Sequence, residues 1–255
     1  MRPAVVALAR RALVNSLRRP QFLAPLVIFP TLFLAINVGG LGGTRALAGF
    51  PAVDGFLDYQ LAAAILQSLL LGGVSSGIAT ALDIEGGFFD RLVASPTPRA
   101  ALVLGRVFAA SVIAAFQVLY FIVLGYAFGA TVQGGVVGIL CVFAIGIVAG
   151  TGFGAIGVLI ALRSRSASTV QGIFPLVFVV LFISSAFFPL ELLSSPADVV
   201  AQYNPLSFIA EGMREPIAFS NAAGPMLEGL VAAAAVAAAA IGLSIAALRG
   251  RLRDA

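Results

Sequence analysis

The sequence predicts an all-α protein that crosses a lipid bilayer several times, and three observations carry that expectation. The chain of 255 residues is 60% hydrophobic and only 10% charged, with a mean hydropathy of +1.08, whereas a soluble domain is about a quarter charged. So little polar surface cannot cover a globule in water. Six apolar stretches are long enough to form helices across a hydrocarbon core of about 30 Å, which takes about 20 residues each. All 15 basic residues are arginine, and they are spread unevenly over the connections between those stretches.

Residues 1–21 precede the first span. Val5, Leu8, Ala12, Leu13 and Leu17 recur there at roughly helical spacing, with Arg10, Arg11, Arg18 and Arg19 among them. The pattern fits an amphipathic helix lying in the membrane interface, its arginines toward anionic head groups. A disordered basic tail is the alternative, although such tails are seldom so apolar. Residues 22–82 hold spans 1 and 2, near Phe22 to Val38 and Leu57 to Leu82. Span 1 is not expected to be a cleaved signal peptide, because it ends in Asn37-Val38-Gly39-Gly40 instead of the usual small-residue cleavage site.

Residues 83–99 concentrate charge between spans 2 and 3. Phe88, Phe89, Leu92 and Val93 make an apolar face at helical spacing while Asp90 and Arg91 point elsewhere, and Pro96 and Pro98 end the helix. Such a helix can press into a partner's groove or pack on its own bundle. Residues 100–192 hold spans 3 to 5, near Ala100 to Phe128, Gly135 to Leu162 and Val170 to Leu190. Residues 193–225 lie outside the spans yet are apolar. Ala197 to Tyr203 and Leu206 to Met213, separated by Pro205, read as short re-entrant helices, which survive at membrane depth only against protein or a wet cavity, or as a lid over the bundle. Residues 226–255 hold span 6, Met226 to Leu248, and a tail.

Orientation follows from the arginines, because cytoplasmic flanks carry the excess of basic residues. Thirteen of the 15 fall on one side: before span 1, between spans 2 and 3, after span 4 and after span 6. Arg45 and Arg214 fall on the other. Both termini are therefore expected in the cytoplasm, in agreement with an even number of spans.

Several chemistries are excluded. Without lysine there is no GxxxxGK[ST] nucleotide loop, and without histidine no Ser-His-Asp relay or HExxH zinc site. Cys141 is alone, so no disulfide forms within the chain. The span middles hold no charged residue: Asp58, Arg106, Glu191 and Glu228 sit near span ends, and Gln67, Gln117, Ser184 and Ser185 are the most polar groups at depth. Ion-coupled transport normally places ionisable groups at the midplane, so a hydrophobic or amphipathic cargo is expected. Gly152, Gly154 and Gly157 fit GxGxxG, but within a span and with no preceding strand the dinucleotide reading fails. Gly146, Gly150 and Gly154, spaced by four, allow close approach of another helix, and the alanine-rich run 232–240 is likewise a packing face.

The series Glu85, Gly87, Arg91-Leu92, Ser95-Pro96, Arg99 and Gly105-Arg106 resembles the motif of ABC-2 type permeases, E-x-G-x-x-x-R-L followed by P, R and G-[KR]. These are the membrane subunits of ATP-binding-cassette exporters. The run Phe188-Pro189-Leu190, Asn204-Pro205-Leu206 and Arg214 is similar to that family's outer region. With the topology, the resemblance covers nearly the whole chain, and its nearest flavour is the daunorubicin-resistance type.

The resemblance implies a non-enzymatic transport subunit in a bacterial cytoplasmic membrane, without catalytic, cofactor or metal residues of its own. ATP and Mg would bind two copies of a separate ABC ATPase, and a second permease, most simply another copy of this chain, would complete the path for a drug, antibiotic or lipid; no nucleic acid is involved. Residues 83–99 would be the coupling helix that docks on the ATPase, with Glu85, Gly87, Arg91 and Leu92 matching the family element and Phe89 added from its apolar face. The N-terminal helix would rest near the ATPase as well. The outer loop from Gly39 to Phe56 is too short for a domain that passes cargo to an outer-membrane partner. Two other readings compete: a lipid-modifying membrane enzyme using Asp83, Glu85 and Asp90 around Mg²⁺, and a scaffolding subunit.

Overall fold

A computed structural model describes residues 2–95 and 97–251, with the side chain of residue 251 set aside; Pro96, expected to help end the helix, and Arg253, one of the arginines after span 6, lie outside the described residues. The described residues form eleven α-helices and no strand. These are α1 (Arg2–Leu17), α2 (Pro20–Leu41), α3 (Phe56–Glu85), α4 (Phe88–Ala94), α5 (Arg99–Ala127) and α6 (Gly135–Ser164), then α7 (Ala167–Gly172), α8 (Phe174–Phe182), α9 (Ala197–Tyr203), α10 (Pro205–Arg214) and α11 (Ala223–Arg251). Five of them, α2, α3, α5, α6 and α11, are long and apolar enough to cross a bilayer, and they coincide with five of the six expected spans.

The remaining expected span, Val170 to Leu190, is shorter than its hydropathy suggests. Its apolar helical stretch, α7 and α8 together, ends at Phe182. Sixteen residues rise only about 24 Å, less than a hydrocarbon core. Gly172 closes α7, Pro175 sits in the first turn of α8, and at the far end Ser184 Oγ turns back onto the carbonyl of Leu181, 2.5 Å away. From Ile183 to Pro189 the chain is not helical.

Helix α3 is the axis of the bundle, and Leu61 to Leu66 are almost wholly shielded along it. Lacking water as a competitor, membrane helices associate through close packing, which small residues permit. The α6 glycines apportion this among three neighbours. A Cβ on Gly146, Gly150 or Gly154 would strike Val118, Ala114 or Ala110 of α5; one on Gly152 would meet Ala237 of α11, and one on Gly157 the backbone of Gly73 and Gly77 on α3. The residues of the apparent dinucleotide motif thus face three different helices. The alanine-rich run is also a helix contact, since Ala237 meets Gly152, and beyond it Ser244 of α11 donates to the carbonyl of Ala155 at 2.9 Å. At depth, Gln117 Nε2 donates to the Ser68 carbonyl at 2.7 Å and to its hydroxyl at 2.9 Å, and Ser68 Oγ donates to the carbonyl of Leu26 at 2.5 Å. This chain of bonds ties α5, α3 and α2 together. Gln67 is equally buried, yet neither side-chain amide atom has a protein partner.

Candidate functional sites at the two ends of the bundle

At the arginine-rich end, α1, α4 and α5 converge on the end of α3. Gly87, at φ 66°, adopts the left-handed conformation that glycine accepts without strain and turns the chain from α3 into α4. The apolar face of α4 then folds inward. Phe89 is 2% exposed, in a cluster with Ile84, Leu102, Val103 and Val107, and Leu92 and Val93 pack against that cluster. Asp90 and Arg91 lie on the exposed face. Of the two placements open to this helix, packing on its own bundle is the one its apolar face adopts, so Phe89 anchors α4 and the polar face is presented outward.

Gly105 and Arg106 of the motif have separate tasks here. A Cβ on Gly105 would come within 2.7 Å of Leu8 Cβ, so the glycine admits α1 against α5. Arg106 pairs with Asp83, and Arg11 reaches the same carboxylate oxygen at 3.2 Å while its guanidinium lies 3.3 Å from the centroid of the Phe88 ring. Arg11 therefore turns toward the protein, whereas Arg10, Arg18 and Arg19 are exposed. Glu85 accepts a hydrogen bond from the backbone N–H of Ala167 at 2.8 Å. It thereby fastens the start of α7 to the end of α3 and joins two connections far apart in sequence. Asp83 and Ala167 had no role in the motif reading. Nothing local marks either: the arginines that pair with Asp83 stand 72 and 23 residues away in the sequence.

With Asp83 committed to two guanidiniums and Glu85 to a helix start, the carboxylates do not converge. Among the described residues no group of three or more His, Cys, Asp or Glu side chains comes together to hold a metal. Asp83, Glu85 and Asp90 are thus not gathered around a common metal position.

At the opposite end, the predicted residues Phe188, Pro189, Asn204, Pro205 and Arg214 gather around the break after α8. The end of a helix leaves carbonyls without intrahelical donors, and at membrane depth no water replaces them. Side chains do so here. Asn204 Nδ2 donates to the carbonyls of Val180 at 3.0 Å and Ile183 at 2.7 Å, while its Oδ1 accepts from Leu206 N–H at 3.0 Å and so caps α10, which Pro205 begins. Gln60 Nε2 donates to the carbonyl of Phe187 at 3.0 Å. Arg214 is wholly buried. It donates to the carbonyls of Ser185 and Tyr59, each at 3.2 Å, to that of Ala186, and to Glu211 at 2.5 Å, with its guanidinium 3.9 Å from the Tyr59 ring centroid. Ser185 Oγ also donates to Glu211, at 2.7 Å. Phe188 packs half-buried on the core and Pro189 is buried. The outer motif is thus a set of donors that satisfies an unwound backbone. Gln60 and Glu211 belong to it although neither is a residue of the motif.

A bundle of bilayer-length helices, with a charged short helix between the second and third of them, defines a multi-pass membrane protein. The chain belongs to the ABC-2 type transporter family, whose model matches residues 3–217. Among relatives, the daunorubicin resistance ABC transporter permease protein DrrB1 of Streptomyces coeruleorubidus is similar: it is 25% identical over 210 residues, covering 80% of this chain and 71% of that protein. The protein is a transmembrane subunit of an ABC transporter.

Proposed function

We propose that this chain is the permease of an exporter energised by a separate ABC ATPase, which moves hydrophobic or amphipathic compounds out of a bacterial cell across its cytoplasmic membrane. One observation carries the reading: α4 is anchored by Phe89 and presents Asp90 and Arg91 outward, at the end where the arginines collect. A helix held this way transmits a push to α3 and α5, both of which it joins. The likeness to a daunorubicin resistance permease favours drugs as cargo. So does a cleft of about 700 Å³ between α2, α3 and α7–α8, lined by Phe22, Leu26, Leu71 and Val74, with Gln21, Gln171, Ser75 and Ser168 as its polar points.

In this mechanism ATP closes two ATPase subunits on Mg²⁺, the movement enters through residues 84–95, and a path between two copies of the permease turns from inward to outward. Helices α7 and α8 with the unwound Ile183–Pro189 act as the sixth crossing, which leaves both termini in the cytoplasm; α9 and α10 are the re-entrant pair. The test is drug-stimulated ATP turnover by the chain purified with its ATPase. Arg91→Glu should abolish stimulation while leaving the permease folded. Wild-type stimulation in that variant would refute the docking face.

A further inference from the structure

A small cavity, of about 50 Å³, opens between α1, α3 and α5 beside the Asp83–Arg106 pair. A single water needs about 10–15 Å³ of such space, so the cavity holds a few waters or one group the size of a phosphate. Its polar lining comes from Asn15 and Ser16 at the end of α1, Arg19 just before α2, Ser75 and Ser76 on α3, and Arg106 on α5. The charge there is unbalanced. Asp83 is the acidic residue of the lining, and it already serves both Arg106 and Arg11; Arg19 makes no ion pair among the described residues. Two guanidiniums thus already share one carboxylate, and the exposed Arg19 adds a third positive charge to the lining; beside the largely shielded Arg106 such an excess is worth more than in water. The rest of the wall is apolar, formed by Phe22, Ala109, Ala110 and Ile113. Next to it on α5, Phe108 and Val112 are exposed as lipid-facing side chains are.

We propose that this cavity binds a phosphate group, that of an anionic phospholipid in the arginine-rich leaflet, between Arg19 and Arg106 with the hydroxyls and Asn15 as hydrogen-bond partners. The mixed lining favours a lipid over the free ion, because a phosphodiester carries its own apolar chains to the α5 wall while inorganic phosphate has no use for one. Arg106 is then more than the partner of Asp83, and α1 is held to the bundle by a lipid as well as by Gly105.

The test needs neither ATPase nor transport, so its outcome is separate from that of the exporter reading. The full chain in detergent is titrated with phosphatidylglycerol, phosphatidylcholine or inorganic phosphate, and binding is followed by native mass spectrometry. Phosphatidylglycerol should bind and phosphatidylcholine should not. Arg19→Gln should weaken the binding about fivefold, the weight of one interfacial arginine, and Ser16→Leu, which fills the cavity without changing charge, should abolish it. Arg18→Gln, exposed but outside the lining, should leave it unchanged. Equal losses for Arg18→Gln and Arg19→Gln would show diffuse attraction and overturn the site, as would wild-type binding by Ser16→Leu. If inorganic phosphate binds with the Arg19 dependence and phosphatidylglycerol does not, the lipid is overturned as its source.

Discussion

Arg214 is the most demanding residue of the outer end, and replacing it with methionine keeps much of its volume while removing every donor. The side chain serves the carbonyls of Tyr59, Ser185 and Ala186 and the carboxylate of Glu211. Hydrogen bonds from a charged donor contribute about 1.5–3 kcal/mol each, and a naive sum over the four would rival the whole stability of an ordinary domain, about 5–15 kcal/mol. Two corrections reduce it. The Glu211 side chain is 39% exposed, so its ion pair is screened by solvent, and the freed carbonyls recover part of their loss by relaxation. Breaking a buried pair typically costs about 3–5 kcal/mol, and we expect that range for Arg214→Met, which corresponds to a fall in melting temperature on the order of 10 °C. Arg214→Lys keeps the charge but not the planar fork that reaches several acceptors at once, so it should fall between methionine and wild type. Glu211→Gln should cost about 1 kcal/mol. Heating the detergent-solubilised protein and following the surviving monodisperse peak by gel filtration reads the series. A melting temperature for Arg214→Met within about 2 °C of wild type, or a larger loss for Glu211→Gln, would refute the assignment of Arg214 as the donor that holds the break.

Other substitutions test other joints. Phe89→Ala should destabilise the chain by about 3–5 kcal/mol in the same thermal assay, because it empties a core position, whereas Arg91→Ala, on the exposed face of α4, should stay within about 0.5 kcal/mol of wild type. Gly157→Ala would drive a Cβ into the Gly73 carbonyl and should cost at least about 1–3 kcal/mol. Gly242→Ala, with nothing within 4 Å of the added Cβ, should be neutral or stabilising by about 0.5–1 kcal/mol. Asp83→Asn leaves Arg106 without its carboxylate and should loosen α1, read as faster proteolysis near residues 2–17.

Much of this organisation is legible in the residues themselves, for reasons that also explain what is not. Five spans are visible because twenty apolar residues have few other places to go, whereas Gly87 enters only as a motif residue and its turn is seen in the fold. Hydropathy reads how apolar a segment is and not whether its backbone is helical. Ile183 to Pro189 carries no charge and continues an apolar run, and its unwinding depends on Asn204, Gln60 and Arg214, which only the fold brings near. Periodicity likewise gives α4 an apolar face without saying what meets it. Phe89 suits a partner's groove and its own core equally well, and the choice is made by Leu102 and Val103 at the start of the next helix. Arg11 and Arg106 illustrate the same limit for charge. Read singly, each arginine points to a lipid surface, yet Asp83 claims both from 72 and 23 residues away.

The central claim is that a separate ATPase docks on the polar face of α4. Cys141 is the chain's one cysteine, so after Cys141→Ser a single reporter thiol can be placed at will. Cysteine introduced at Arg91, at the arginine-rich end, or at Val199, an exposed position of α9 near the opposite end, is treated with a short bifunctional crosslinker in membranes holding both proteins. The account predicts a permease–ATPase adduct from position 91 that strengthens with ATP, and none from position 199. Adducts from 199 and none from 91 would contradict it.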